Sequence, residues 1–504
     1  MMSNVEQIVA AFQDEMRKIL HYQEALELLE WDLRTGAPKR GVPLRAEAIG
    51  TLSGEIFDRV TSDQMAEYLQ ELSDPSVYPT LTPVLQASVQ EMKRQADWIR
   101  KIPRSRYKQY VTLTREAESV WEDAKQDDDF ARFQPYLERI VDMNIEFAGY
   151  RGGEGNPYDA LLDHYEPGVT VAQLDAVFTP LRKELTELAQ RIAASGHRPD
   201  VRPLLRPVAK STQREVCEAM LGVLGFDFSA GRLDETVHPF QITLNHYDVR
   251  VTTHYREEDL RVALFGVMHE CGHALYEQGV SETLVGTPLC GGVSMGIHES
   301  QSLFFENIIG RSRAFWEANY GWLQQRVDTL ADVSLNAFYA AINDVHPSLI
   351  RIEADEVTYP LHIIVRYELE KALINGQLSV RDLPEAWRHK MQEYLGVAPD
   401  TDRDGVLQDV HWSAGLIGYF PSYALGYIYS AQFRHALLQQ MPDFEERLQS
   451  GRVTDVRDWL REQIHRHGKL RTPGELVQSV TGEAMNPTYL LNYLYEKYTP
   501  LYAL

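Results

Sequence analysis

Apolar residues recur every three or four positions through most of this chain, and one short segment breaks the rhythm. Over residues 4–32, Ile8, Phe12, Met16, Ile19, Leu20, Leu26, Leu28, Leu29 and Trp31 form such a series. That spacing puts one face of a helix against a core. Thr170 to Gln173 reads as a capping box, in which two side chains satisfy backbone N–H groups reciprocally. A helix starting there is expected to stop near Gly196. Ser211 or Thr212 is expected to cap the next one, which runs to Leu224. Thr472-Pro473-Gly474-Glu475 is another start, with proline at the first helical position. Asn375-Gly376 and His467-Gly468 read as stops.

The break lies at residues 236–256. Residues 236–244 and 248–253 alternate in polarity and are rich in β-branched side chains, with Asn245-His246-Tyr247 able to turn between them. A small antiparallel sheet is predicted there. Its edge offers an extended peptide a place to add as a strand; the competing reading is a hairpin that covers the core. Residues 152–157 are the loosest spot, but patterning resumes at once. With no long linker, low-complexity tract or repeat, the expected fold is mainly α. It is a large helical fold of two lobes around a deep groove, one unit over residues 1–504.

Composition narrows the class. The chain has 504 residues, 44% apolar and 24% charged, ordinary values for a globular protein. A net charge of −23 without a basic run speaks against nucleic acid as a partner. Cys217, Cys271 and Cys290 show no paired spacing, which fits a reducing cytoplasm. The first residues lack a basic n-region and an apolar h-region, so no secretory signal is expected. No apolar run of about 18 residues suggests a membrane span.

The chemistry is concentrated in His269-Glu270-Cys271-Gly272-His273, flanked by apolar residues on both sides. Residues four apart share a helix face, so both imidazoles can reach one metal ion, with Glu270 beside it. The layout is that of a zinc hydrolase. Zinc in catalytic sites takes three protein ligands. Glu299, 26 residues past His273 and opening a second apolar-periodic stretch, is a candidate third ligand; it is equally a carboxylate stabilised in a helix's first turn. His298 is a further ligand candidate or an orienter, and Glu277, Glu282 and Glu306 compete with Glu299.

Amide hydrolysis also needs a base, for which Glu270 is suited, and a neutral donor to the oxyanion. Residues 415–427 carry Tyr419, Tyr423 and Tyr427 on a glycine-rich stretch, among 26 tyrosines in all. Removal of C-terminal residues would need a cation for the terminal carboxylate, best an arginine. Arg250, Arg351 and Arg366 are candidates, each with a local carboxylate that offers a structural ion pair instead.

Five motifs in order resemble the carboxypeptidase Taq family of zinc metallocarboxypeptidases. They are Asp248-Val249-Arg250-Val251-Thr252, the HExxH segment, His298-Glu299-Ser300-Gln301, Ile350-Arg351-Ile352-Glu353-Ala354-Asp355, and residues 405–412 ending Gln408-Asp409-Val410-His411-Trp412. The resemblance implies His269, His273 and Glu299 as metal ligands and Glu270 as general base. It points to Arg351 as the anchor for the substrate carboxylate, and to Arg250 and His411 near the closed end of the groove. His246 and His298 are counted with the substrate-binding candidates. A more distant likeness to angiotensin-converting enzyme and neurolysin-type peptidases makes Tyr419 the first choice as oxyanion donor and Tyr423 the second. The family further implies zinc or sometimes cobalt and peptide substrates. It also implies broad C-terminal preference with poor action at proline, and often a homodimer.

Overall fold

The computed structural model describes residues 4–152 and 155–504; Gly153 and Glu154 of the loose segment lie outside the described residues. Helices dominate, as the periodicity predicts, and they build two lobes with separate cores. In the first, Phe12, Met16 and Ile19 of the long helix Asn4–Thr35 pack against Met65, Leu69, Leu72, Val89 and Met92 from the helices that follow. The second and larger core holds the HExxH helix Leu260–Gly279 and nearly all later helices. Trp31 meets Ile242 and Leu244, joining the long N-terminal helix to the sheet.

Local signals set many boundaries. Thr170 and Gln173 form the capping box of Val171–Ala194, and Thr472 and Glu475 form that of Pro473–Thr481. The helix Tyr359–Ile374 ends before Asn375-Gly376. The helix Lys210–Leu224 ends where expected, but its N-cap is Ala209 rather than Ser211 or Thr212, which lie inside the first turn. Glu257 explains the earlier start, because its carboxylate accepts the Lys210 backbone N–H at 3.0 Å.

The predicted hairpin is present as β2 (Gln241–Asn245) and β3 (Asp248–Thr253), antiparallel with Ile242 opposite Arg250. It begins later than the alternation suggested. A third strand, β1 (Gly231–Glu235), pairs in parallel with β3, so the sheet is mixed, in the order β1-β3-β2. β3 packs against the HExxH helix, where the Thr253 hydroxyl donates to the Ala263 carbonyl at 3.2 Å.

The HExxH helix is apolar on nearly every face, the mark of a helix enclosed by others. Gly272 lets the helix Met295–Leu303 cross it closely, since a β-carbon there would stand 2.4 Å from the Gln301 carbonyl oxygen. Ser294 caps that second helix by accepting the Ile297 N–H, and buried Glu166 accepts the Gly296 N–H at 2.9 Å. The close approach at Gly272 and both anchors hold Glu299 against the HExxH helix. Among the described residues, no helix is long and apolar enough to cross a membrane.

Candidate active site

His269, His273 and Glu299 each offer one ligand atom, and these atoms lie within 4.8 Å of one another. The Glu299 Oε2 stands 3.8 Å from His269 Nε2 and 3.4 Å from His273 Nε2. Of the four carboxylates the sequence left in competition, Glu299 is the one grouped with both imidazoles. Glu306 lies behind His269, on the π-helical turn Phe304–Ile309, with its Oε2 2.9 Å from His269 Nδ1 and its other oxygen on Arg311. Glu277 lies behind His298: its Oε1 is 2.9 Å from His298 Nε2, while His298 Nδ1 is 2.6 Å from His273 Nδ1. Both ring nitrogens of His298 are thus engaged.

The field here is strongly negative. Burial lowers the His269 imidazole, but Glu299, Glu306 and Glu270 outweigh it and raise the group to about 10. Burial pulls His273 down to about 4. Burial pushes the Glu270 carboxyl up to about 7, with His269 opposing and Glu299 and Glu306 adding to the rise. Burial would raise Glu299 too, but His269 and His273 hold it below its usual range. A pocket that draws a proton onto an imidazole in this way favours a cation at the same place. Two imidazole nitrogens and one carboxylate oxygen are also the donor set of an open catalytic zinc site. The residues present fit a divalent ion.

A second group adjoins the first. Asp409 accepts from Arg351 through Nε at 3.0 Å and Nη2 at 2.9 Å, and from Arg366 Nε at 2.7 Å. One carboxylate between two guanidinium groups leaves one positive charge uncompensated. Gln408 accepts from the Arg351 backbone and from Arg366, which ties the two motifs together. Among the described residues, Nη1 of Arg351 has no partner. The Arg351 guanidinium lies 4.8 Å from the Tyr423 ring centre. The Tyr423 hydroxyl pairs with His411 Nε2 at 3.0 Å, and its ring stands 5.3 Å from that of Tyr419. Burial pushes both phenols up, Tyr423 to about 12, and the Glu299 charge adds to each shift.

Tyr419 is held from behind. The preceding Gly418 N–H and the Trp412 indole N–H both donate to buried Glu370, at 2.9 and 2.7 Å, and Tyr158 donates to the same carboxylate. Tyr359, which the sequence did not single out, joins this group: its phenol is raised by burial and then by Glu299, with Arg351 opposing. It stands three positions past Ala354-Asp355-Glu356, and only its place at the start of Tyr359–Ile374, four residues after the motif, hinted at it.

Arg250 and His246 stand apart. Arg250 forms a bidentate pair with Asp248 at 2.7 Å and lies 5.3 Å over the Trp31 ring. His246, in the β2–β3 turn, has its imidazole lowered by burial, with Glu282 and Glu277 opposing. Among the described residues, neither has a hydrogen bond, ion pair or ring contact with His269, His273 or Glu299.

Residues 11–498 match the sequence model of the family described as Carboxypeptidase Taq (M32) metallopeptidase. The chain belongs to the M32 family. Carboxypeptidase 1 of Bacillus subtilis (strain 168) is 49% identical over 494 residues, covering 98% of each chain. Thermostable carboxypeptidase 1 of Thermus thermophilus is 43% identical over 506 residues, covering 98% of this chain and 99% of that one. The crystal structure of the M32 carboxypeptidase from Deinococcus radiodurans R1 has a TM-score of 0.96 and 38% identity, covering 99% of this chain and 100% of the other. As an M32 protein, the chain is a metallocarboxypeptidase, and peptides are its substrate class.

Proposed function

We propose that this chain is a zinc-dependent carboxypeptidase that removes C-terminal residues with broad preference and acts poorly where proline is terminal or next to it. One arrangement carries the reading: the His269, His273 and Glu299 cluster and the surplus positive charge of the Arg351–Asp409–Arg366 group are linked through Tyr423. A metal site beside a fixed cation suits an enzyme that cuts next to a free carboxylate.

His269, His273 and Glu299 would hold the ion, zinc first and cobalt as a substitute with the same donors. When bound, it supplies Lewis acidity to the scissile carbonyl and lowers the pKa of a water molecule. Glu270 accepts the water proton at its carboxylate and delivers it to the departing amine. Tyr419 donates its hydroxyl to the developing oxyanion, with Tyr423 the alternative donor. Arg351 grips the terminal carboxylate through Nη1, while Asp409 holds the other edge of the fork. His411 and Arg250, with His246 on the same hairpin as Arg250, bound the closed end and restrict how far a peptide extends. The whole of residues 1–504 serves as one catalytic unit. It works in the cytoplasm, as its free cysteines suggest, and as a homodimer.

The test couples metal analysis to mass spectrometry of products. Zinc should copurify, single residues should leave an unblocked peptide, and the same peptide with an amidated C-terminus should stay whole. Cleavage of the amidated peptide would make the protein an endopeptidase on this scaffold. A metal-free protein indifferent to chelators would end the proposal.

A further inference from the structure

A row of side chains leads away from the candidate metal position: His273, His298 and Glu277. His273 Nδ1 and His298 Nδ1 lie 2.6 Å apart, so one must donate and the other accept. His298 Nε2 faces Glu277 Oε1 at 2.9 Å, and that same oxygen accepts the Gly292 N–H at 2.8 Å. Glu277 is buried on the HExxH helix, one turn past His273. A carboxylate offers acceptors only.

We propose that Glu277 is a positioning residue of the metal site, acting through His298 to decide which nitrogen of His273 carries the proton. Glu277 keeps the His298 proton on Nε2. The His298 Nδ1 lone pair then accepts the Nδ1–H of His273, and the His273 Nε2 lone pair is left facing Glu299 and the cation position. The inference rests on the metal-site reading above.

The reverse order meets an obstacle. A proton on His273 Nε2 would have Glu299 Oε2 at 3.4 Å as its acceptor. His273 Nδ1 would then be a lone pair, and a His298 carrying a single ring proton would have to donate it from Nδ1. Its bare Nε2 would face the Glu277 carboxylate 2.9 Å away, two acceptors pressed together in a buried place. A long contact to Glu299 does not offset that loss. Without Glu277 the obstacle vanishes and both orders become open. His269 needs no such relay, because Glu306 faces its Nδ1 directly and Arg311 backs that carboxylate. The two imidazoles of the motif are therefore oriented by different means: a carboxylate in one case, an imidazole with a carboxylate behind it in the other.

The proton order can be read in the wild-type protein freed of metal, with ¹⁵N-labelled histidine and long-range ¹H–¹⁵N correlation spectra. The expected result is a proton on Nδ1 of His273 and on Nε2 of His298; a proton on His273 Nε2 overturns the proposal. In a second arm, Glu277→Leu should lower zinc affinity, measured by chelator competition, about 10- to 100-fold. Glu277→Gln, which keeps an oxygen to accept both N–H groups, should restore most of it. Unchanged zinc affinity in Glu277→Leu overturns the role. If the tautomers are as stated and no variant or wild-type protein binds zinc, the metal-site reading fails and Glu277 loses its proposed purpose with it.

Discussion

Gly426 lies so close to Glu299 that a β-carbon on it would stand 2.6 Å from both the Cβ and the Cγ of that glutamate. The helix Pro421–Gln440 thus runs against Met295–Leu303 at a separation that only glycine permits. Gly426→Ala must push Glu299 aside. Thermal unfolding should show a loss of about 1–3 kcal/mol, and chelator competition should show weaker zinc binding. Gly321→Ala, with nothing within 4 Å of the added carbon, should gain up to about 1 kcal/mol from helix propensity.

Glu270→Gln should lower kcat by about 10²–10⁴-fold, the usual contribution of a positioned proton carrier. Zinc content by elemental analysis should stay at the wild-type level, because Glu270 is not one of the three clustered donors. Full activity in the variant would remove Glu270 from the reaction.

Arg351→Ala should cut kcat/KM on peptides with a free C-terminus by about 10–100-fold, the worth of charged hydrogen bonds to a carboxylate. The loss should appear mainly in KM. Arg351→Lys should recover little, since a compact ammonium lacks the planar fork that engages Asp409 through Nε and Nη2 and leaves Nη1 spread toward substrate. Equal kinetics on all three proteins would place the substrate carboxylate elsewhere.

Tyr419 and Tyr423 can be told apart by their partners. Tyr423 is engaged with His411 at 3.0 Å, whereas the Tyr419 hydroxyl faces Tyr423 and, at 3.9 Å, the Met295 sulfur. Tyr419→Phe should therefore cost about 10²–10³-fold in kcat, as loss of an oxyanion donor does. Tyr423→Phe should act more on KM, through Arg351. A larger kcat loss in Tyr423→Phe than in Tyr419→Phe would reverse the assignment.

Glu370 sets a pH dependence of stability. Burial raises its carboxyl from 4.5 to about 7, against the three donors from Tyr158, Gly418 and Trp412. An acid raised on folding holds its proton where the unfolded chain has lost it. Its stabilising contribution is therefore complete below 4.5 and is lost as pH rises through about 7. The gap amounts to at most about 3 kcal/mol. Urea unfolding of wild type and Glu370→Gln between pH ~5 and ~8 should show the wild type losing stability relative to the variant as pH rises. Parallel profiles would contradict the shift.

What the chain alone settles is whatever lies within a few turns of one element. Helical spacing places His269 and His273 on one face, and Thr170–Gln173 and Thr472–Glu475 cap the helices they precede. These outcomes depend on backbone geometry that neighbouring residues dictate. Pairings across long loops were not legible. Spacing put Glu299 forward without excluding Glu277, Glu282 and Glu306, and the close crossing at Gly272 and Gly426 is what brings Glu299 to both imidazoles. The same folding turns Glu306 toward His269 and Glu277 toward His298, roles that no local pattern distinguishes. β1 is likewise not legible in the sequence, because a parallel partner arrives by a crossover and its five residues carry little alternation of their own. Local geometry decides which side chains share a face. Which faces meet is decided by how the whole core closes, and the cation position lies where those faces converge.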